Sequence, residues 1–552
     1  MSRLPLGLRP LSRPDEAPVR TADRTPWYRS LRRPARIALV LAAWVLAAVA
    51  LFTCYLHLSR TVPANSDGAS IALQAWAMLH GNLLLRGWWL SDVAFYTTEL
   101  PQYMIIEWVH GLTPDDMHIA AAMTYTLLVL LAAFVAKGRA SGREGLIRAA
   151  LAAGIMVAPP QGSVYVLMLE PDHVGSAVPV LLLVLVLDRA GRRWFVPLLA
   201  YLLVAWALVA DQVILISMIA PLILVAVLRG YRRLVVLGRK GWPAWFEIGL
   251  LVAALAGAFT AERILRRIRE SGGFQLNPVN NQLAWFDTLP HNLLETIQGL
   301  LVLFGANFPG HQVGLVAAIG LLHLLAIALV LWAVCIAARR LWRLPIAVQL
   351  MAASVCITVL AYLIGPNALN AQSSREIGAV LPLGAALAGR LLTRRLRRAR
   401  LVPALAAVLG VYLAGLTFYA TRPPVPANNQ TLASWLTEHR LHYGLTPSYW
   451  IGNATTVDSG GAVAVRTVQT SGRSVQPNLW EINLGWYSAR THTANFVVMP
   501  GPGDWRQNPA AYAIVTSFGQ PARVYVLPAY TVLVWNRNVL PRVSPASPIG
   551  TG

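Results

Sequence analysis

Charged residues are scarce in this chain. Asp, Glu, Lys and Arg make up 13% of its 552 residues, whereas a soluble protein carries about 25%. Hydrophobic residues make up 56% of the chain. A deficit of charge on this scale excludes an ordinary soluble fold, because much of the chain then has no surface that faces water.

Lysine and acidic residues are few, so the net charge comes from arginine. The chain has 46 basic and 24 acidic residues and a formal net charge of +22, with lysine only at Lys137 and Lys240. A strongly basic chain can indicate a nucleic-acid partner. Here the arginines form short runs between apolar segments, as the positive-inside rule for membrane proteins predicts. We therefore expect membrane lipids as partners and no nucleic acid.

Cysteine is rarer than in most chains of this length. Cys54, Cys335 and Cys356 all lie inside apolar segments. Disulfide frameworks and cysteine-based zinc sites both need cysteines in suitably spaced groups. The sequence therefore predicts neither.

Long apolar segments recur along the chain, each close to the length of helix that crosses about 30 Å of hydrocarbon. The arginine runs between them cost too much free energy to lie within lipid. We expect an all-α polytopic membrane bundle of about eleven spans within residues 37–420. The expected spans are 37–59, 117–136, 146–160, 174–188, 194–210, 212–228, 244–264, 312–336, 346–364, 376–392 and 401–419.

The two ends of the chain have a different composition. Residues 1–36 are polar, Pro-rich and basic, which predicts a disordered cytoplasmic tail. In residues 421–552 the apolar runs shorten and Gly, Pro, Asn, Thr and Ser increase, which predicts a small soluble α/β domain with a helix at 431–441. An odd number of spans places this domain on the extracytoplasmic side of the cell membrane. The expected strands are 462–466, 494–498, 512–515 and 530–535.

The number of spans depends on one polar break. Residues 194–228 are too long for a single span, and we interpret Asp211-Gln212 as the tip of a hairpin between two spans. If residues 194–228 formed a single span, all later loops would lie on the opposite side of the membrane. Two long outer loops, 60–116 and 265–311, lie within the membrane part. Long loops in compact proteins are usually functional.

The first of these loops contains a candidate catalytic acid. Asn65 or Ser66 can cap a helix that begins directly after the first span, which places Asp67 in its first turn. The helix dipole keeps an acid there ionised. Apolar residues at helical spacing over 67–80 predict a helix that lies in the membrane interface. The plainer interpretation of Asp67 is a first-turn acid with no further role.

A second polar cluster precedes the span at 174–188. Glu170, Asp172 and His173 stand in the sequence Leu-Glu-Pro-Asp-His-Val-Gly. Asp172 and His173 could complete a divalent-metal site with Asp67, taking Mg²⁺ or Mn²⁺, or could hold an acceptor. Three ligands on two loops without fixed spacing indicate a metal only weakly. A polar turn at the interface is the alternative.

Two groups of arginines lie on the expected outer side, against the charge rule. Arg266 and Arg267 belong to a basic run, 263–269, that follows the span at 244–264, and Arg375 opens a later span. An arginine fork suits an anionic phosphate, so these residues are candidates for binding a lipid phosphate. The alternatives for the first group are a solvated amphipathic extension or binding to anionic lipid head groups. The alternative for Arg375 is an ion pair with Glu376.

The order of these features resembles the membrane glycosyltransferases of the GT-C class, including protein mannosyltransferases and aminoarabinose transferases. The shared order is a first span, an acid that heads a helix, a small-residue turn and an aromatic–acid–proline segment, here 96–103. Many members read Asp-Glu-Ala-x-Tyr and later His-Pro-Pro-Leu. This chain has Gly68 in place of the second acid and Glu99-Leu-Pro-Gln in place of the second motif. The resemblance covers residues 37 to about 400.

The resemblance implies inverting transfer of a sugar from a polyprenyl-phosphate donor to a hydroxyl of a glycan, lipid or protein acceptor. Asp67 would be the base that takes the acceptor proton, and Arg375 would stabilise the departing phosphate. Glu99, Asp172 and His173 would position the acceptor or a metal. A phosphate leaves as a stabilised anion, so a second carboxyl acid is not required.

Two other functions fit the same architecture. One is a non-enzymatic protein that binds a lipid-linked sugar, and the other is a transporter or flippase. Transporters often contain internal repeats, and we find no repeat in this sequence. A long first loop and an outer soluble domain favour the transferase.

Overall fold

The structure is a computed structural model that describes residues 33–238, 241–279, 282–502 and 504–546. The predicted basic tail, 1–36, lies outside the described residues except for its last four positions. By their contacts the described residues form two parts, residues 33–50 and residues 51–546. The first part belongs to helix α1 (Arg33–Ser59). Apolar side chains such as Leu46 and Val45 are exposed on it, as expected of a helix surrounded by lipid.

From residue 51 the chain completes α1 and enters the first long loop, which is largely structured. The elements are α2 (Ser66–Leu79), β1 (Trp88–Leu90), α3 (Glu99–His110), α4 (Asp115–Lys137), α5 (Gly142–Met156), α6 (Gln161–Leu167), α7 (Asp172–Gly175) and α8 (Ala177–Ala190). Pro159 and Pro160 separate α5 from α6, and the two helices meet at 96°. Proline cannot continue a helical hydrogen-bond ladder, so the chain turns there.

The middle of the chain contains the predicted break at Asp211. Helix α9 (Val196–Ala210) ends at Ala210, and a π-helical stretch, Leu215–Ile219, leads into α10 (Ala220–Tyr231). The next elements are α11 (Trp242–Glu270), β2 (Gln275–Leu276) and α12 (Leu289–Leu303). The basic run 263–269 is therefore the helical end of α11 rather than part of a loop.

Four helices complete the membrane part, and one of them is broken near its start. They are α13 (Leu315–Arg339), α14 (Ile346–Ile364), α15 (Val380–Arg398) and α16 (Val402–Ala420). A 3₁₀ helix, Ala371–Ile377, precedes α15 and is bent from it by 59°.

The multi-pass helical class is confirmed. Among the described residues, eight helices are long and apolar enough to cross a membrane, or up to ten if each bent pair is one span. The eleven predicted segments all fall on helices. The structure has fewer candidate spans than the prediction because some of these helices are short or bent. Helix α9 has 15 residues and is about 22 Å long, which is shorter than the hydrocarbon core. The two bent pairs are broken near the polar cluster described below.

A mixed sheet forms the C-terminal α/β region. The elements of this region are α17 (Gln430–Glu438), β3 (Tyr443–Thr446), α18 (Tyr449–Asp458), β4 (Ala464–Ser471), β5 (Ser474–Pro477), β6 (Ile482–Asn483), β7 (Phe496–Pro500), α19 (Ala511–Phe518), β8 (Arg523–Val526) and β9 (Tyr530–Val534). The strand order in the sheet is β5-β4-β3-β7-β9-β8, with β3 parallel to β4 and β7 and the other pairs antiparallel.

Helices cover both faces of this sheet. Along β7, Phe496 and Val498 pack with residues of α17 and α18, whereas Val497 and Met499 pack with residues of α19. The strand predicted at 512–515 is wrong, since these residues lie in α19. A four-residue apolar run does not distinguish a strand from a buried helix turn, and Ala511, Ile514 and Phe518, at helical spacing, place one face of α19 on the core.

Helix α2 was predicted to lie in the membrane interface, and the structure corrects this. Ten of its 14 residues are buried, and it contacts α3, α4 and α18 of the C-terminal region. Strands β1, β2 and β6 also pair in one small sheet, which joins both long loops to the C-terminal region. The C-terminal region is therefore packed onto the first loop, and this contact brings its residues to Asp67.

Candidate functional site

Asp67 stands in the first turn of α2, as predicted. The N-cap is Asn65, whose side-chain oxygen accepts a hydrogen bond from the backbone N–H of Gly68 at 3.1 Å. Gly68 has no room for a side chain, because a Cβ atom there would lie 2.8 Å from Met117 Sδ and 3.3 Å from Glu170 Cβ. The position of the family's second acid is thus filled by neighbouring side chains.

Glu170 and Asp172 lie where the chain crosses from α6 to α7. The Glu170 side chain is 2% exposed and that of Asp172 is 7% exposed. Asp172 has a φ of +30°, a backbone conformation that residues with a Cβ rarely adopt and that often marks a functional site. The connection that follows α6 therefore carries two buried carboxyl groups.

Arg375 holds three carboxylates together. It lies in the 3₁₀ helix Ala371–Ile377, whose N-terminus is fixed by a capping box between Asn370 and Ser373. Its Nη2 donates to Asp67 Oδ2 at 3.0 Å and its Nη1 to Glu170 Oε1 at 2.6 Å. Its Nε lies 3.0 Å from Asp172 Oδ2. Three loops far apart in the sequence thus converge on one guanidinium group.

Tyr449 of the C-terminal region completes the shell around Asp67. Its hydroxyl donates to Asp67 Oδ1 at 2.7 Å, and its carbonyl accepts a hydrogen bond from Ser66 Oγ at 2.8 Å. Burial raises the pKa of Tyr449 well above its ordinary value, so the hydroxyl stays protonated and keeps donating. Both oxygens of Asp67 therefore have a fixed donor.

A cavity of about 310 Å³ opens beside this cluster. Asp67 and Arg375 supply its charged wall. The other lining residues are uncharged: Asn65, Tyr165, Leu169, Gln372, Asn428 and Trp450. Small-molecule sites usually have volumes of about 300–1,000 Å³, so this cavity is of a size for one small ligand group.

Burial raises the pKa of two further acids near Asp67. Burial raises the pKa of Glu170 to about 8, against the opposing effect of Arg375. Burial also raises the pKa of Glu481, in the C-terminal region, to about 8, and the nearby Asp67 charge adds to this. Glu481 has a φ of +55°. At a pH below about 8 the cluster therefore carries fewer negative charges than it has carboxyl groups.

His173 belongs to the same cluster but is turned away from the cavity. Its Nδ1 lies 2.9 Å from Asp211 Oδ2, and its Nε2 lies 3.7 Å from Asp172 Oδ1. Ser176 Oγ donates to the same Asp211 oxygen at 2.5 Å. An ionised carboxylate only accepts hydrogen bonds, so His173 donates from Nδ1. Asp211, predicted only as a hairpin tip, thus fixes His173 behind Asp172.

Glu99 was predicted to contact substrate, and the structure places it behind the cluster. It is 2% exposed, and a Cβ atom on Gly175 would lie 2.1 Å from its Oε1. Burial raises the pKa of Glu99 to about 8. Glu99 is not among the residues that line the cavity, so its place in the site is that of a neutral, buried neighbour of Asp172.

Arg266 and Arg267 are not brought to the cavity. Their side chains are 51% and 82% exposed at the end of α11. Arg266 Nη2 lies 3.4 Å from Glu262 Oε1, and Arg267 Nη1 lies 3.8 Å from Glu270 Oε2. These exposed pairs on one helix correspond to the alternative interpretation of a solvated or lipid-facing helix end.

The proposed metal ligands Asp67, Asp172 and His173 do not form a ligand set. The guanidinium of Arg375 lies between the two carboxylates, and His173 faces Asp211 instead. Within the described ranges, no group of three or more His, Cys, Asp or Glu residues is placed to hold a metal ion. As arranged here, a cationic side chain occupies the place that a divalent ion would need.

Sequence reasoning identified Asp67, Asp172 and Arg375 but missed Tyr449, Trp450 and Glu481. The first three are polar residues beside long apolar segments, where they stand out. The others lie within an ordinary soluble sequence, and Tyr449 is 382 residues away from its partner Asp67. No local signal marks them.

Fold and site together define a class: a multi-pass helical membrane protein with an α/β region packed on its first loop and an acid–arginine cluster at their junction. The fold is similar to that of a solved structure, ArnT from Cupriavidus metallidurans bound to undecaprenyl phosphate. The TM-score is 0.52 over 93% of this chain and all of that chain, at 13% identity. No family model and no curated protein matches the sequence.

Proposed function

We propose that this protein transfers a sugar from a polyprenyl-phosphate donor to an acceptor hydroxyl, with inversion at the anomeric carbon. The observation that carries the proposal is the contact of Asp67 with Arg375 on the wall of the cavity. A carboxylate base and a phosphate-binding cation are the two groups that such a transfer needs. ArnT, whose fold this chain shares, was crystallised with undecaprenyl phosphate, a lipid of the proposed class.

In the proposed step the acceptor oxygen attacks the anomeric carbon from the face opposite the phosphate. The new carbon–oxygen bond forms as the bond to the phosphate oxygen breaks, which inverts the configuration. Asp67 takes the acceptor proton. The polyprenyl phosphate leaves as an anion, and Arg375 stabilises its charge.

Both groups have capacity left for substrate. Arg375 has five N–H donors; two donate to Asp67 and Glu170 and its Nε lies 3.0 Å from Asp172 Oδ2, so at least two N–H groups remain for phosphate oxygens. An ionised carboxylate accepts up to about four hydrogen bonds, and Asp67 accepts one each from Arg375 and Tyr449. Substrate can therefore add to the cluster without dismantling it.

The test uses the purified full-length protein with labelled polyprenyl-phosphate sugars. We expect Asp67→Asn to lower transfer about 1,000-fold, within the usual range for loss of a general base, while lipid binding persists. Asp115→Asn is the matched control, because Asp115 pairs with Arg60 at 2.5 Å and does not line the cavity. Full transfer by a folded Asp67→Asn variant would exclude the base role.

The same assay separates the other two functions. Saturable binding of the lipid-linked sugar without transfer would support a non-enzymatic binding protein. Movement of the labelled lipid across vesicles that contain the protein would support a transporter or flippase.

A further inference from the structure

The uncharged wall of the cavity contains an exposed aromatic residue from the C-terminal region. Trp450 lines the cavity, and 59% of its surface is exposed. It follows Tyr449 in α18, and the two rings meet edge to face with centroids 5.1 Å apart at 71°. Since the Tyr449 hydroxyl donates to Asp67, Trp450 stands next to the residue that holds the acid.

Amide side chains stand beside Trp450. Gln372 and Asn428 both line the cavity and are exposed. An amide offers donors and an acceptor, which matches sugar hydroxyls, since these also donate and accept. Asn429 Nδ2 donates to the carbonyl of Trp450 at 3.0 Å and so fixes the backbone that carries the aromatic ring.

The charges on the wall are already paired. Among the eight described lining residues, Asp67 and Arg375 are the charged ones, and they contact each other at 3.0 Å. In the proposed reaction the remaining capacity of this pair is taken by the acceptor hydroxyl and the phosphate, and the other six lining residues are uncharged, so an amine or carboxylate on the sugar ring would find no charged partner there. An uncharged ring with hydroxyl groups matches an aromatic face and amides.

We propose, on the basis of the proposed function, that Trp450 stacks on an uncharged sugar ring in this cavity and that Gln372 and Asn428 bind its hydroxyls. The C-terminal region then determines which sugar enters the site beside Asp67. The ring could belong to the lipid-linked donor or to a glycan acceptor, since both present the same chemistry.

The test measures binding to the full-length protein in detergent. The probes are polyprenyl phosphate, polyprenyl-phosphate mannose and polyprenyl-phosphate aminoarabinose, with methyl mannoside as a soluble acceptor analogue. If the ring belongs to the donor, the wild type should bind the mannose lipid more tightly than the aminoarabinose lipid. Trp450→Ala should weaken binding of one mannose probe about tenfold, and Trp450→Phe should retain most of the affinity for that probe. Both variants should bind polyprenyl phosphate like the wild type.

Which mannose probe is affected identifies the source of the ring: the lipid for a donor, methyl mannoside for an acceptor. Tyr512→Ala is the matched control, since Tyr512 is equally exposed at 59% in the C-terminal region and does not line the cavity. The proposal is overturned if a folded Trp450→Ala variant binds both mannose probes like the wild type, or loses polyprenyl phosphate equally. For a ring on the donor, tighter binding of the aminoarabinose lipid than of the mannose lipid also overturns the proposal.

Failure of the proposed function gives a different result. If Trp450→Ala weakens binding of a mannose probe while Asp67→Asn transfers sugar fully, the sugar subsite is supported and the base role of Asp67 is excluded. If Trp450→Ala binds both mannose probes like the wild type while Asp67→Asn is inactive, the sugar subsite is excluded and the base role of Asp67 is supported.

Discussion

Arg375 and Asp67 are 308 residues apart in the chain, and their side chains meet at 3.0 Å. The same guanidinium holds Glu170 and Asp172. A lysine offers a single point charge and cannot reproduce the planar fork of arginine. The contact is therefore sensitive to the type of cation as well as to its charge.

We expect Arg375→Lys to lower transfer by about 100-fold, in line with the loss of one electrostatic donor at an active site. The control is Arg390→Lys. Arg390 also pairs with a carboxylate through two hydrogen bonds, both to Asp188 at 2.8 Å, but it does not line the cavity. Arg390→Lys should lower the melting temperature and spare transfer. Equal loss of transfer in both variants would assign Arg375 to folding alone.

Tyr449→Phe removes the hydroxyl that donates to Asp67. A hydrogen bond to a charged group contributes about 1.5–3 kcal/mol, so we expect kcat to fall about tenfold or more with little change in KM. The control is Tyr487→Phe, since the Tyr487 hydroxyl donates to a backbone carbonyl in the same region. Tyr487→Phe should affect the melting temperature only. A normal kcat in Tyr449→Phe would contradict a positioning role.

Gly68→Ala tests the close packing beside Asp67. The added Cβ meets Met117 Sδ at 2.8 Å and Glu170 Cβ at 3.3 Å, so the Met117 side chain must shift and Glu170 must give slightly. We expect a loss of stability of about 1–3 kcal/mol, as for overpacked cores, and reduced transfer. Gly410→Ala, where nothing lies within 4 Å, should be neutral or stabilising because alanine favours a helix. Normal activity in Gly68→Ala would show that this packing is not needed.

Glu481 predicts a pH dependence of stability. Burial raises its pKa from an ordinary value of 4.5 to about 8, so the folded chain holds this proton more tightly than the unfolded chain. The free energy of unfolding should then fall as pH rises from about 5 to about 8, by at most about 5 kcal/mol at 1.36 kcal/mol per pH unit. Melting temperatures between pH 5 and pH 8.5 measure this.

Glu481→Gln should reduce that pH dependence, because the amide does not titrate. Glu438→Gln, at an exposed residue of α17, should leave it as in the wild type. The same decline in Glu481→Gln as in the wild type would assign the pH dependence to other groups, such as Glu170, whose pKa is also raised to about 8 by burial.

Composition and periodicity determined much of this protein. The shortage of charge and the length of the apolar segments predicted a multi-pass helical fold, and the N-cap Asn65 predicted the helix that carries Asp67. Polar residues beside apolar segments, such as Asp172 and Arg375, were recognisable because lipid excludes them from a span. These properties depend on neighbours in the sequence and on transfer from water to lipid, which a sequence records directly.

Tertiary structure alone decided which of these residues meet and what lies between them. It placed Arg375 where a metal had been considered, turned His173 toward Asp211, and left Arg266 and Arg267 at an exposed helix end. It buried α2 beneath the C-terminal region and so brought Tyr449 to Asp67. Such contacts depend on how distant segments pack, and packing is set by the shapes of all of them together rather than by any local pattern.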